Sequence, residues 1–158
     1  TMVLVGDNRT RVDLNKGIRQ LLEFESLSPM YGDRVICLKK NPSMAIFNGM
    51  TGTILSISKN DVGNFYDAEI ALDGEEEVFS GPISVDQFGK SETLTQYLSE
   101  NMNLFDFGYA LTVHKAQGSQ AKRVILFEER FPQMTDDNWR RWLYTAVTRA
   151  EQELYIIG

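Results

Sequence analysis

The order of apolar runs along the chain predicts an α/β domain that carries a small all-β insertion. Three observations support this. Strand-like and helix-like stretches alternate at both ends of the chain, over residues 2–22 and 109–157. Between them, residues 32–84 hold several short alternating segments with a turn signal about every ten residues, the pattern of a small β-barrel. Finally, the apolar run Tyr109-Ala110-Leu111-Thr112-Val113 breaks into His114-Lys115-Ala116-Gln117-Gly118-Ser119-Gln120. The carboxyl ends of strands in α/β proteins are where ligands sit, so this break reads as a binding edge.

Met2-Val3-Leu4-Val5 is apolar enough for a buried strand, and Gly6-Asp7-Asn8 ends it. Thr10 or Asp13 is the expected cap of the next helix. Val12, Leu14, Ile18, Leu21 and Leu22 give that helix one apolar face. Arg9, Arg11, Lys16 and Arg19 lie around it, as solvated surface or as phosphate contacts. Ser28-Pro29-Met30-Tyr31-Gly32-Asp33 is a turn-rich break. Residues 34–38 then read as a strand, Asn48-Gly49 as a tight turn, and Gly52 as a bulge or second turn. Residues 53–58 alternate like a half-exposed strand, 60–64 form a loop and 66–72 alternate again. Asp73-Gly74 turns a hairpin, and Glu77-Val78-Phe79 resumes a strand.

Residues 91–98 read as a short helix that returns the chain to the main sheet. Phe105, Phe107 and Tyr109 lie two apart, on one face of a strand. Core packing suits them better than base stacking, which requires exposure. Residues 123–127 form a buried strand and 131–135 a loop. Asp136-Asp137 starts a helix with negative charge at its amino end, and Trp139, Trp142, Leu143, Ala146 and Val147 give that helix an apolar face. Leu154-Tyr155-Ile156-Ile157 is the last strand.

The totals fit one ordinary domain or two small ones: 158 residues, 42% hydrophobic and 24% charged. No apolar run reaches the roughly 18 residues of a membrane span, and no basic, signal-like segment precedes the first strand. The one cysteine, Cys37, sits in an apolar run and reads as a buried thiol. A cytoplasmic setting, in a bacterial or phage-infected cell, is expected. The net charge of -6 argues against a free-standing nucleic-acid module, which is usually basic. It leaves room for a local basic edge, because much of the acid is gathered in Asp73-Gly74-Glu75-Glu76-Glu77.

His114 alone could be an ordinary surface or core histidine. The string Thr112-Val113-His114-Lys115-Ala116-Gln117-Gly118-Ser119 is more specific. It closely resembles motif V of superfamily 1 helicases, above all of their RecD-like branch. Leu143-Tyr144-Thr145-Ala146-Val147-Thr148-Arg149-Ala150 resembles motif VI of the same enzymes, and the two occur in the expected order. Leu14-Asn15-Lys16-Gly17-Ile18-Arg19 is similar to the motif IV region. The stretches GDRVICLKKN and IFNGMTGTI look like the SH3-like barrel inserted in the second motor domain of that branch.

The resemblance implies a RecA-like (P-loop NTPase-like) second motor domain over residues 1–31 and 105–158, with an SH3-like β-barrel and return segment at 32–104. It implies ATP with Mg²⁺ as the nucleotide, single-stranded DNA as the track, and a first RecA-like domain of the same polypeptide as the partner. Arg149 matches the arginine that reaches the γ-phosphate; a permanently charged guanidinium can engage two phosphate oxygens at once. Gly118 and Gln120 match the nucleotide side, although the family often has Glu where Gln120 stands. Thr112, His114 and Lys115 match positions on the strand backbone, where hydroxyl, ring N–H and ammonium groups suit phosphate without reading sequence. Lys39, Lys40 and Asn48 are strand-contact candidates at the barrel edge. No GxxxxGK[ST] string is present, so the phosphate loop and the Mg²⁺ ligands are expected on the missing first domain, and the piece alone is expected to be inactive. The other reading is a non-enzymatic SH3-like binding module with a relic motor signature; an intact motif VI favours the motor.

Overall fold

The computed structural model describes residues 1–95, 102–130 and 132–158. They divide into two compact units, Thr1–Asn15 with Tyr109–Gly158, and Lys16–Gly108. No described helix is long and apolar enough to cross a membrane.

The first unit is built on a four-stranded parallel sheet in the order β7-β1-β8-β9. Its strands are β1 (Met2–Val5), β7 (Ala110–Thr112), β8 (Ala121–Phe127) and β9 (Ala150–Ile157). β1 sits between β7 and β8, and its Leu4 and Val5 are fully buried. Ala110, Leu111, Val124 and Leu126 complete the buried layer. Helix α2 (Asp136–Val147) connects β8 to β9 and buries Trp142 and Ala146. The first-turn acids Asp136 and Asp137 fall where expected, but the cap is Thr135, whose Oγ1 accepts the Asn138 N–H at 3.1 Å. At the sheet edge, Tyr155, Ile156 and Ile157 of β9 remain about half exposed.

Helix α1 (Asn8–Leu21) differs from expectation in three ways. It starts before Thr10 and Asp13, and Asp7 caps it by accepting the Arg9 N–H at 2.7 Å. Its expected apolar face is not the buried one: Leu21 is 84% exposed, whereas Arg11, Asn15 and Arg19 are buried at successive i, i+4 positions. Arg11 and Arg19 are therefore neither solvated surface nor free phosphate contacts. Arg11 Nε donates to Asn8 Oδ1.

Asn15 closes the outer edge of β7. Its Nδ2 donates to the Ala110 carbonyl at 3.3 Å, and its Oδ1 accepts the Ala110 N–H at 2.6 Å. In a parallel ladder both groups of one residue face the same side, so those of Ala110 would be buried without a partner unless a side chain supplied both bonds.

The second unit is a five-stranded antiparallel sheet in the order β5-β4-β3-β2-β6. It comprises β2 (Arg34–Cys37), β3 (Thr51–Lys59), β4 (Phe65–Leu72), β5 (Phe79–Ser84) and β6 (Phe105–Phe107). The expected turns at Asn48-Gly49 and Asp73-Gly74 form, and Gly49 and Gly74 take positive φ. Gly52 marks no turn. It lies inside β3, where a Cβ would come within 2.6 Å of the Ala71 carbonyl. The bulge falls instead between Ile54 and Ser56. Val35, Ile46, Ile54, Ile70, Ile83 and Phe105 fill the core together with the Cys37 thiol.

The expected barrel is not confirmed: over the described residues the antiparallel sheet is not closed. Among the described residues, edge strands β5 and β6 share no ladder; a single bridge links Ile83 to Asn103, where the Ser84 N–H donates to the Asn103 carbonyl at 2.9 Å. Residues 91–95 form no helix: the Gln87 side chain holds them, with Oε1 accepting the Leu94 N–H and Nε2 donating to Glu92 O. The rest of that expected helix lies outside the described residues. Phe105 and Phe107 pack in the core as expected, while Tyr109 lies beyond β6.

Arg19 and Asp33 form a buried clasp. Arg19 Nε and Nη2 donate to the two Asp33 oxygens at 2.9 and 2.8 Å, and Nη1 and Nη2 also donate to Ser26 O and Ser28 O at 2.7 and 3.0 Å. The guanidinium also lies 4.3 Å from the Phe107 ring centroid. Removing one partner leaves the other charge buried and unpaired. Asp33→Ala should therefore cost about 3–5 kcal/mol in denaturant unfolding. Asn15→Ala, which strands both backbone groups of Ala110, should cost roughly 2–4 kcal/mol in the same measurement.

Candidate functional site

The segment at residues 113–120 is a crossover, and its two ends lie at opposite edges of the parallel sheet. β7 ends at Thr112, which pairs with Val5 at the end of β1. β8 begins at Ala121, which pairs with Ala150 at the start of β9. Because all four strands are parallel, His114 and Lys115 stand at the carboxyl edge, and Ser119 and Gln120 at the amino edge. Only half of the stretch thus occupies the strand-end position expected from sequence.

Local hydrogen bonds shape the crossover. The Val113 N–H extends the ladder to Val5 O at 3.0 Å. The Ala116 N–H then reaches Thr112 O at 3.1 Å, and the Lys115 N–H reaches Thr112 Oγ1 at 3.3 Å. The Ser119 N–H closes on Ala116 O at 3.0 Å, across Gly118 at φ +82°, a left-handed conformation that favours glycine. Thr112 and Ala116 are buried, while His114 and Gln117 face solvent.

At the amino edge, Gly118, Gln120 and Arg149 come together. Arg149 follows α2, and its guanidinium is held by three neutral acceptors. Nη1 donates to Ser119 O at 3.2 Å, Nε to Thr145 O at 3.1 Å and Nη2 to Thr148 Oγ1 at 3.3 Å. Gln120 Nε2 donates to Thr148 O at 3.4 Å. Among the described residues no carboxylate pairs with Arg149, so its positive charge stays uncompensated in a partly exposed position. Such a group fits a phosphate. The residues that hold it, Ser119, Thr145 and Thr148, were not singled out from sequence, because two of the three bonds are accepted by backbone carbonyls, which every residue has.

The remaining candidates, Lys39, Lys40 and Asn48, belong to the antiparallel unit. Lys39 Nζ donates to Met102 O at 3.1 Å, whereas Lys40 and Asn48 are exposed, the latter in the tight turn after Phe47. Among the described residues no group of three His, Cys, Asp or Glu side chains is placed to hold a metal ion.

The carboxyl edge also carries Glu129, just after β8, a residue that sequence reasoning passed over. Burial raises its pKa above the ordinary 4.5, and the nearby Asp7 charge adds to this; an N–H of Gly6 and the Thr10 hydroxyl oppose it. A carboxyl whose folded pKa is raised costs stability as pH climbs through that value. Glu129→Gln should therefore raise the midpoint of thermal unfolding at neutral pH. The gain should vanish below about pH 4.5, where both states are protonated, as a pH series of melts would read.

A sequence profile of the UvrD-like helicase C-terminal domain matches residues 107–157, the segment holding the crossover, α2 and Arg149. Over 129 residues, 80% of the chain, it is 33% identical to an ATP-dependent RecD2 DNA helicase of Deinococcus radiodurans, and it spans 14% of that protein. It is 28% identical over 135 residues to the RecBCD enzyme subunit RecD of Mycobacterium tuberculosis, spanning 19% of it. The fold matches a crystal structure of a Bacteroides Pif1 helicase in complex with ADP-AlF3 and single-stranded DNA with a TM-score of 0.61, at 13% identity, over 99% of this chain and 40% of that one. By these matches the chain belongs to the RecD-like superfamily 1 helicases and corresponds to part of their C-terminal region.

Proposed function

We propose that the chain is the second motor domain of an ATP-dependent DNA helicase, with residues 32–104 as its inserted SH3-like module. In this reading it couples ATP hydrolysis to movement along single-stranded DNA and to unwinding of duplex, with 5′-to-3′ polarity. The observation that supports it is the split crossover: one short segment runs from Thr112 and His114 at the carboxyl edge to Ser119 at the amino edge, where the Ser119 carbonyl holds the Arg149 guanidinium. The setting is cytoplasmic, and the first RecA-like domain of the same polypeptide supplies the phosphate loop and the Mg²⁺ ligands.

Arg149, already oriented by Ser119, Thr145 and Thr148, reaches the γ-phosphate when the two motor domains close. It stabilises the charge on the phosphoryl group in transfer and withdraws when the domains open. Gly118 leaves space beside the nucleotide, and Gln120 donates or accepts at the ribose without charge. Thr112, His114 and Lys115 grip the strand backbone, together with Lys39, Lys40 and Asn48 of the inserted module. Alternating grip between the two domains advances the strand.

Arg149→Ala in the full-length polypeptide should lower DNA-stimulated ATP hydrolysis by about 10³–10⁵-fold, and Lys should not rescue it, because an ammonium cannot reproduce the guanidinium fork. Unchanged hydrolysis would instead favour a binding module that retains a relic signature.

A further inference from the structure

Helix α2, which Arg149 follows, also forms one wall of a cleft. This cleft, of about 600 Å³, opens beside His114 and is lined by Gln117, Gln133, Asn138, Arg141 and Thr145, with Val113, Met134 and Trp142 as its apolar floor. The chain carries 22 Asp and Glu and a net charge of -6, yet the described lining residues include no carboxylate. They offer three amides, one guanidinium and one imidazole. Amides can donate and accept at any base edge, and a guanidinium suits a phosphate. The volume lies within the range of small-ligand sites. Thr145 has a second connection: it lines the cleft, its Oγ1 donates to Arg141 O at 2.9 Å, and its carbonyl accepts Arg149 Nε at 3.1 Å.

We infer that this cleft takes one nucleotide of the single strand, with Arg141 at its phosphate and Gln117, Gln133 and Asn138 around its base. The inference rests on the helicase reading above and extends the strand path from the crossover onto α2. It also joins strand contact on α2 to the arginine just after that helix, through Thr145.

The test is fluorescence anisotropy of a labelled oligothymidylate against the full-length polypeptide, over a series of salt concentrations. Arg141 and Asn138 are exposed, so both can be replaced without opening the core. Arg141→Glu should weaken binding roughly tenfold or more near physiological salt and reduce the salt slope by about one. Arg141→Lys should restore the slope. Asn138→Ala should weaken binding a few-fold and leave the slope unchanged, because it removes no charge. The strand concentration that half-activates ATP hydrolysis should rise in step with each dissociation constant. Affinity and slope at wild-type values in both Arg141→Glu and Asn138→Ala would overturn the inference. If Arg149→Ala still abolished hydrolysis in that case, the helicase reading would stand and only the cleft assignment would fall; if it did not, the reading beneath would fall as well.

Discussion

Ala110 turns its N–H and carbonyl away from β1, and the Asn15 side chain takes both. The rest of the candidate site depends on this pair of bonds. β7 is only three residues long and lies at the edge of the sheet, so a ladder on one side is a weak anchor. With Asn15 in place, the outward backbone groups of Ala110 are satisfied as well. Thr112 is thereby fixed beside Val5, and the crossover starts from a defined point. An edge strand left open would also invite pairing with another chain.

From that anchor the crossover converts sheet geometry into chemistry. It leaves one edge of the parallel sheet and rejoins at the other, so nearby positions in the sequence serve different ends. Ser119 O then holds the Arg149 guanidinium, while the Thr145 and Thr148 oxygens hold it from the helix side. An arginine fixed by three neutral acceptors is preorganised without being neutralised, the character that the proposed phosphate contact calls for. The Arg19–Asp33 clasp has the opposite character: there a buried carboxylate neutralises the guanidinium, and the pair serves the fold.

Much of the architecture could be read along the chain, because apolar periodicity and turn residues are local signals. The strands around Val35, Ile70 and Leu126 and the turns at Asn48-Gly49 and Asp73-Gly74 are of this kind. The face of α1 was misread for a physical reason. Its apolar residues suggest the buried side, but the polar side chains of Arg11, Asn15 and Arg19, each hydrogen-bonded, are buried instead. Gly52 was misread because a close strand–strand approach and a turn both call for glycine.

The sequence by itself determined which residues stand close together along the chain: the polar break after Val113, the arginine after α2, and the alternating strands of the insertion. Motif strings and periodicities are encoded over a few residues, so they survive without coordinates. Only the tertiary structure decided that His114 and Gln120 lie at opposite sheet edges, that Ser119 turns its carbonyl to Arg149, and that Asn15 completes β7 across ninety-five positions of sequence. Those outcomes depend on strand order and on backbone groups that every residue carries, and neither leaves a mark in residue type.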